Sequence, residues 1–185
     1  MIFAAYLLWL VGFYMVSVHM AAYGTDLGLS PSAAALAVSL IGGGSIFGKL
    51  FMGFLSDRIG PQKVLVVNMF MQGLSIFGLV ASGSPTWIYI LAVLFGFAYG
   101  GVGPQIPVVT AQFFGLSSLG SIFGALLFSG HVGGAIGPLL GGKIFDISQS
   151  YFWSFSLAGI AVMISFGLIF LLRQPYGRRV RDSSQ

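Results

Sequence analysis

Charge is what this sequence has least of. Only 6% of its residues are Asp, Glu, Lys or Arg, and just four are acidic. A soluble domain carries about 25% charged residues to cover its surface. A chain of 185 residues that is 57% hydrophobic, with a mean hydropathy of +0.97, has nothing comparable to present to water. Its solvent is therefore lipid. Cysteine is absent altogether, which excludes disulfides and thiolate metal sites and leaves the redox compartment unreadable. The net charge of +4 is too small and too confined to connections for nucleic-acid binding. An intramembrane Asp pair, an H-E-x-x-H motif and a Ser–His elbow are also missing, so no enzyme chemistry, cofactor or metal site is expected. The first residues are apolar, without a basic lead-in or a small-residue cleavage site. They read as a first span and not as a removable signal.

What is present is a series of long apolar runs. A transmembrane helix needs about 20 mostly apolar residues, and six runs reach that length: 2–23, 33–55, 64–81, 86–112, 119–141 and 152–172. The alternating polarity of barrel strands is absent. The expected fold is an all-α polytopic membrane protein of six transmembrane helices, with 173–185 a basic tail. Turn chemistry falls between the runs, at 24–31, at Ser84-Pro85 and at 115–118. Pro104 and Pro107 lie inside the fourth run beside Gly100, Gly101 and Gly103, which predicts a kinked helix there.

Lys and Arg set the orientation. Arg58 and Lys63 lie in the second connection, and Arg173, Arg178, Arg179 and Arg181 in the tail; the opposite side has only Lys143, balanced by Asp146. Both termini are expected in the cytoplasm, with the protein in the cell membrane. Trp87, Tyr89, Tyr151 and Trp153 fall near the outer ends, as an aromatic belt would.

The chain is organised around residues 42–63. Gly44, Gly48 and Gly53 permit close helix approach in lipid, and Asp57, Arg58 and Lys63 then concentrate charge at the foot of that helix. Two readings fit: a gated hinge loop at the cytoplasmic face, or a positively flanked stop of an ordinary span. Gly44, Gly48, Gly53 and Asp57 recur 89 positions later as Gly133, Gly137, Gly142 and Asp146. Each set lies on the middle helix of a three-helix group. One group ends at the cytoplasm and the other outside, so the expected arrangement is a 3+3 inverted repeat.

The run GFLSDRIGPQK, with Gly53, Asp57, Arg58, Gly60 and Lys63, resembles the major facilitator superfamily signature G-x-x-x-D-R-x-G-R-K-x; it departs at Pro61 and Gln62. The run GGAIGPLLGG, with Gly133, Gly137, Pro138, Gly141 and Gly142, resembles that superfamily's antiporter-type pattern g-x-x-x-G-P-x-x-G-G. The surrounding wording is most similar to the carboxyl-terminal half of monocarboxylate and oxalate:formate transporter relatives. The resemblance implies two six-helix halves around a central cavity, of which this chain supplies one. The missing amino-terminal half, or a second copy of the chain, would be its partner. A fragment of a longer transporter is the expectation, a half-size protein the alternative.

Ionisable groups within a span are functional candidates. Lys49 lies about 7–8 Å from the middle of the second span towards the cytoplasm, His131 near the centre of the fifth, and His19 near the outer end of the first. The resemblance implies that Lys49 occupies a position commonly cationic in these relatives, and that His131 falls near a second one. Lys49 would then pair with a substrate carboxylate; the alternative is snorkelling to headgroups. His131 would be a second donor or a proton carrier, since histidine ordinarily titrates near 6.5; the alternative is a neutral imidazole bonded to a neighbouring helix. A histidine in place of a permanent cation favours a monocarboxylate over a dicarboxylate. Tyr99 and Gln105 are expected on the polar path, with Ser129 and Asn68 unassigned and His19 in interfacial water. Asp57 and Arg58 would form a conformational latch. The expected function is secondary transport of a small organic anion by uniport, proton symport or exchange. The alternative is a non-transporting membrane module that pairs with another transporter half.

Overall fold

Proline and glycine set the limits of the helices. The computed structural model describes residues 1–82 and 84–172. Its helices are α1 (Ile2–Asp26), α2 (Pro31–Ile59), α3 (Pro61–Ser82), α4 (Pro85–Val102), α5 (Gln105–Phe114), α6 (Leu119–Ser148) and α7 (Tyr151–Phe170). Pro31, Pro61 and Pro85 open α2, α3 and α4, where the missing N–H has no helical acceptor to lose. Gly60, the single residue between α2 and α3, has φ 92°, a backbone that glycine adopts without strain. Six helices are long and apolar enough to cross a bilayer, α4 and α5 together forming one span of 30 residues. The chain is a multi-pass integral membrane protein.

The kink expected in the fourth span lies at Gly103 and Pro104, between α4 and α5, where both residues keep right-handed helical angles within one span of 30 residues. One expectation about helix limits needs correction: α2 runs on to Ile59 and α6 to Ser148, past the apolar limits at 55 and 141. The apolar run marks where lipid ends, whereas a helix stops only where the backbone turns away, here at Gly60 and at Gln149, which has φ 52°. Asp57 and Arg58 therefore sit on the last turns of α2 and not in a loop. The basic tail with Arg173, Arg178, Arg179 and Arg181 lies outside the described residues.

The helices pair in the pattern of an exchanged repeat. Grouping α1–α3 against α4–α7, the middle helix of each group packs on the first helix of the other, as α2 on α4 and α6 on α1. The third helices follow the same exchange, α7 on α1 and α3 on α4, while α3 and α7 pack on each other. Ile41 meets Gly96 and Ser45 meets Gly100, so α2 and α4 run parallel. Gly133 meets Leu7 and Gly137 meets Val11, so α1 and α6 run parallel too. The successive spans α1, α2, α3 and α4 are joined by short turns and alternate in direction, so α4 points opposite to α1 and the two groups are inverted.

Glycine makes these contacts. Lipid tails are as apolar as leucine, so helices associate in lipid through close packing, which small residues allow. A Cβ on Gly44 would lie 2.5 Å from the Val93 carbonyl oxygen, and one on Gly133 would lie 2.6 Å from that of Leu7. Gly48 sits against the Phe97 backbone and Gly137 against that of Val11. Gly53 and Gly142 do not share this role: a Cβ on Gly53 meets nothing within 4 Å, and one on Gly142 only the His19 ring at 3.8 Å. His19, near the outer end of α1, is tied to α6. Its Nε2–H donates to the Pro138 carbonyl at 3.1 Å, and the ring occupies the space left by the absent side chain of Gly141. Of the expected aromatic belt, Trp87 and Trp153 are exposed, whereas Tyr151 is buried and stacks on Phe145.

Candidate functional site

Four helices, the first and middle members of both groups, border an open cavity of about 430 Å³. α1 contributes Tyr6, Trp9 and Tyr14, α2 contributes Lys49, α4 contributes Tyr99, and α6 contributes His131. Gly100, Gly103, Gly130 and Gly134 line it with backbone alone. Three of the four residues expected at the site, Lys49, His131 and Tyr99, are thus brought to one cavity from three different helices.

The local reasons are physical. Lys49 follows Gly48 on α2, and Gly48 presses on α4; the next position round the helix therefore turns to the edge of that contact, where Lys49 is exposed. An ammonium in hydrocarbon at a helix centre costs about 2.5–3.5 kcal/mol on insertion scales, and a cavity open to water removes that penalty. The only acid on the same helix, Asp57, lies about 12 Å away along the axis, and among the described residues no acidic side chain lines the cavity. His131 is held by its own helix: Nδ1–H donates to the Leu127 carbonyl at 2.6 Å. A carbonyl only accepts, so the proton is on Nδ1 and Nε2 is left for a ligand. Gly130 and Gly134 provide room for rings from α1. A Cβ on Gly130 would lie 2.5 Å from the Tyr6 ring, and one on Gly134 3.0 Å from that of Tyr14.

Among the described residues, the lining side chains are an ammonium, an imidazole, three phenols, an indole and Leu10, with no carboxylate or side-chain amide. The Trp9 indole N–H is already committed to the Gln72 side chain. Besides His131 Nε2 and the phenol oxygens, the acceptors in the wall are backbone. The carbonyls of Gly100 and Gly103 lose their regular helical donors because positions 104 and 107 are proline. Such a lining suits an anion.

Gln105 is not part of this cavity. It is buried, its Oε1 accepts from Ser56 Oγ at 2.6 Å, and its Nε2 donates to the Met52 carbonyl at 3.4 Å. It ties the broken segment α5 to α2, which explains a polar side chain just past the break. Gln105→Leu is expected to destabilise the protein by about 1–3 kcal/mol through the unpaired partners left behind, read as a lower melting temperature in detergent. Anion affinity at the cavity should change little by comparison. Ser129 bonds the Leu126 carbonyl of its own helix, and Asn68 is fully buried on α3 without a partner among the described residues.

The signature residues lie away from the cavity, at the α2–α3 end. Asp57, Arg58 and Lys63 are all exposed, and the Arg58 guanidinium sits 4.4 Å over the Phe54 ring. Gly60 supplies the positive φ between the helices. The glycines of the second motif form the α1–α6 contact through Gly133, Gly137 and Gly141. The cavity residues that the sequence did not single out are Tyr6, Trp9 and Tyr14. Their spacing on α1, a stripe of hydroxylated and indole rings on one face, was the available signal.

A model of the Major Facilitator Superfamily matches residues 2–185. Human monocarboxylate transporter 14 is 33% identical over 140 residues, covering 75% of this chain and 27% of that protein. Zebrafish (Danio rerio) monocarboxylate transporter 12-B is 30% identical over 170 residues, covering 90% of this chain and 36% of its own length. Rat monocarboxylate transporter 4 is 28% identical over 177 residues, covering 92% and 37%. The chain thus spans between a quarter and two fifths of the length of these relatives.

Proposed function

Because this chain belongs to the major facilitator superfamily, we propose that it is the carboxyl-terminal six-helix half of a secondary transporter that moves a small organic carboxylate by alternating access. The observation that carries this reading is Lys49: a lone ammonium within a span, turned into a cavity whose side chains offer donors and no competing carboxylate. The names of the relatives, monocarboxylate transporters, point the same way. The ammonium binds the carboxylate as a strongly hydrated point charge, and His131 becomes the second contact when its Nε2 takes up a proton and donates it in a hydrogen bond to the anion.

Six helices make one wall of the path, and the other half closes it. The outward faces of α2 and α6 leave Phe47, Leu50 and Phe54, and Phe128, Leu139 and Ile147, exposed. On the reading proposed here the missing half covers these helices next to the cavity mouth. Gly53, with open space where a Cβ would stand, and the exposed Asp57, Arg58 and Lys63 then gate the cytoplasmic side against that half. Both termini lie in the cytoplasm and the protein in the cell membrane.

Uptake tests the reading. Proteoliposomes carrying the full-length product of this gene are expected to accumulate labelled pyruvate saturably, with competition by other monocarboxylates and none by the neutral amide of pyruvate. Equal competition by the amide would show that charge is not what is recognised. Absence of any carrier activity in folded protein would favour a non-transporting module.

A further inference from the structure

We propose that the anion held at Lys49 is an aromatic carboxylate, one with a flat ring next to its charged end; this rests on the carboxylate reading above. The cavity is larger and more aromatic than a two- or three-carbon acid needs. Though open on the side the other half would close, it already measures about 430 Å³, a size at which pockets hold drug-sized ligands, about 300–1,000 Å³. A short acid at Lys49 would leave most of that space, and the rings around it, to water.

Those rings are fixed before any ligand arrives. Tyr99 stacks on Phe13 with centroids 3.7 Å apart and planes 8° from parallel. Phe13 in turn stacks on Phe95 at 5.4 Å and 6°. Trp9 lies 5.7 Å from Tyr99 at 18°, with its indole N–H held by Gln72. Tyr6 and Tyr14 lie against α6 at positions where it has glycine, Gly130 and Gly134. Three half-buried phenol rings and the edge of Trp9 therefore form a rigid wall, borne mainly by α1 and α4, in the same cavity as the ammonium from α2.

Such a wall rewards a planar apolar body. Aromatic pairs prefer offset-stacked or edge-to-face contacts, and tyrosines already locked by packing lose little side-chain freedom when a ligand arrives. The carboxylate would bind the ammonium while the ring lay among Tyr6, Tyr14 and Tyr99. Phenols at the rim offer O–H donors as well, so the wall accepts the polar edge of the ligand near its carboxylate.

The test compares pyruvate with its phenyl-substituted counterpart, 3-phenyl-2-oxopropanoate. The two share the same oxo-carboxylate head. Affinities are measured by Trp fluorescence or calorimetry on the full-length gene product, with Lys49→Ala and Tyr14→Leu as variants. The aromatic acid is expected to bind at least about tenfold more tightly than pyruvate. Lys49→Ala should weaken both acids, whereas Tyr14→Leu should reduce the ratio between them. If both acids bind with equal affinity and both depend on Lys49, the aromatic assignment is overturned while the carboxylate reading stands. If neither acid binds to folded protein, or binding ignores Lys49, the carboxylate reading falls and takes this assignment with it.

Discussion

Lys49→Ala should reduce carboxylate binding and uptake by about ten- to hundredfold, while Lys49→Arg retains a measurable part. A hydrogen bond to a charged group contributes about 1.5–3 kcal/mol, and each 1.4 kcal/mol is about tenfold in affinity. The loss is expected near the upper end because, among the described residues, no other permanent cation lines the cavity to take over. Arginine keeps the charge but replaces a compact ammonium by a planar fork, so its geometry at a site built for lysine is only partly right. Radiolabelled pyruvate binding on the full-length gene product reads both variants. Wild-type affinity in both would remove Lys49 from the site.

The second large effect concerns the glycine contacts that shape the cavity. Gly48→Ala and Gly100→Ala each place a methyl group against backbone, at Phe97 and Ser45 respectively. Backbone atoms give way less than the end of a flexible side chain does. Overpacking costs about 1–3 kcal/mol where side chains can adjust, and each of these variants is expected at or above that range, seen as loss of monodisperse protein in detergent. Gly43→Ala is the matched control. It stands in the same helix, yet its Cβ meets nothing within 4 Å, so stability should be unchanged. If Gly48→Ala proves as stable as Gly43→Ala, α2 and α4 do not approach through these glycines.

The two cases show what could be read from residue identity and what could not. A span is an apolar run and a turn is marked by glycine, serine and proline, so the six crossings and the turns at 24–31, at Ser84-Pro85 and at 115–118 were open to view. The 89-residue offset was legible as well, because an aspartate recurs in a chain with only four acidic residues. Scarcity also exposed Lys49 and His131. Abundance hid the rest: with 15% aromatic residues, nothing distinguishes Tyr6 or Tyr14 from packing until the face they occupy is known. Gln105 was misplaced for a related reason. A polar side chain in a span is satisfied equally by a ligand or by a neighbouring helix, and here Ser56 and Met52 already take it. The partner of His19 was hidden because the carbonyl of Pro138 is distant in sequence. Gly53 and Gly142 take no part in the close backbone contacts within this half, since a glycine's spacing says that a helix can approach there and not that one does.

The account depends most on Lys49 meeting water and not lipid, and thiol labelling reads that directly. The chain contains no cysteine, so Lys49→Cys and Leu50→Cys each introduce a single thiol into it, one lining the cavity and one on the outward apolar face of α2. In membranes, a negatively charged, water-borne methanethiosulfonate reagent should modify the Lys49→Cys thiol readily and leave the Leu50→Cys thiol untouched. Modification at 50 with none at 49 would place the ammonium in hydrocarbon and contradict the account.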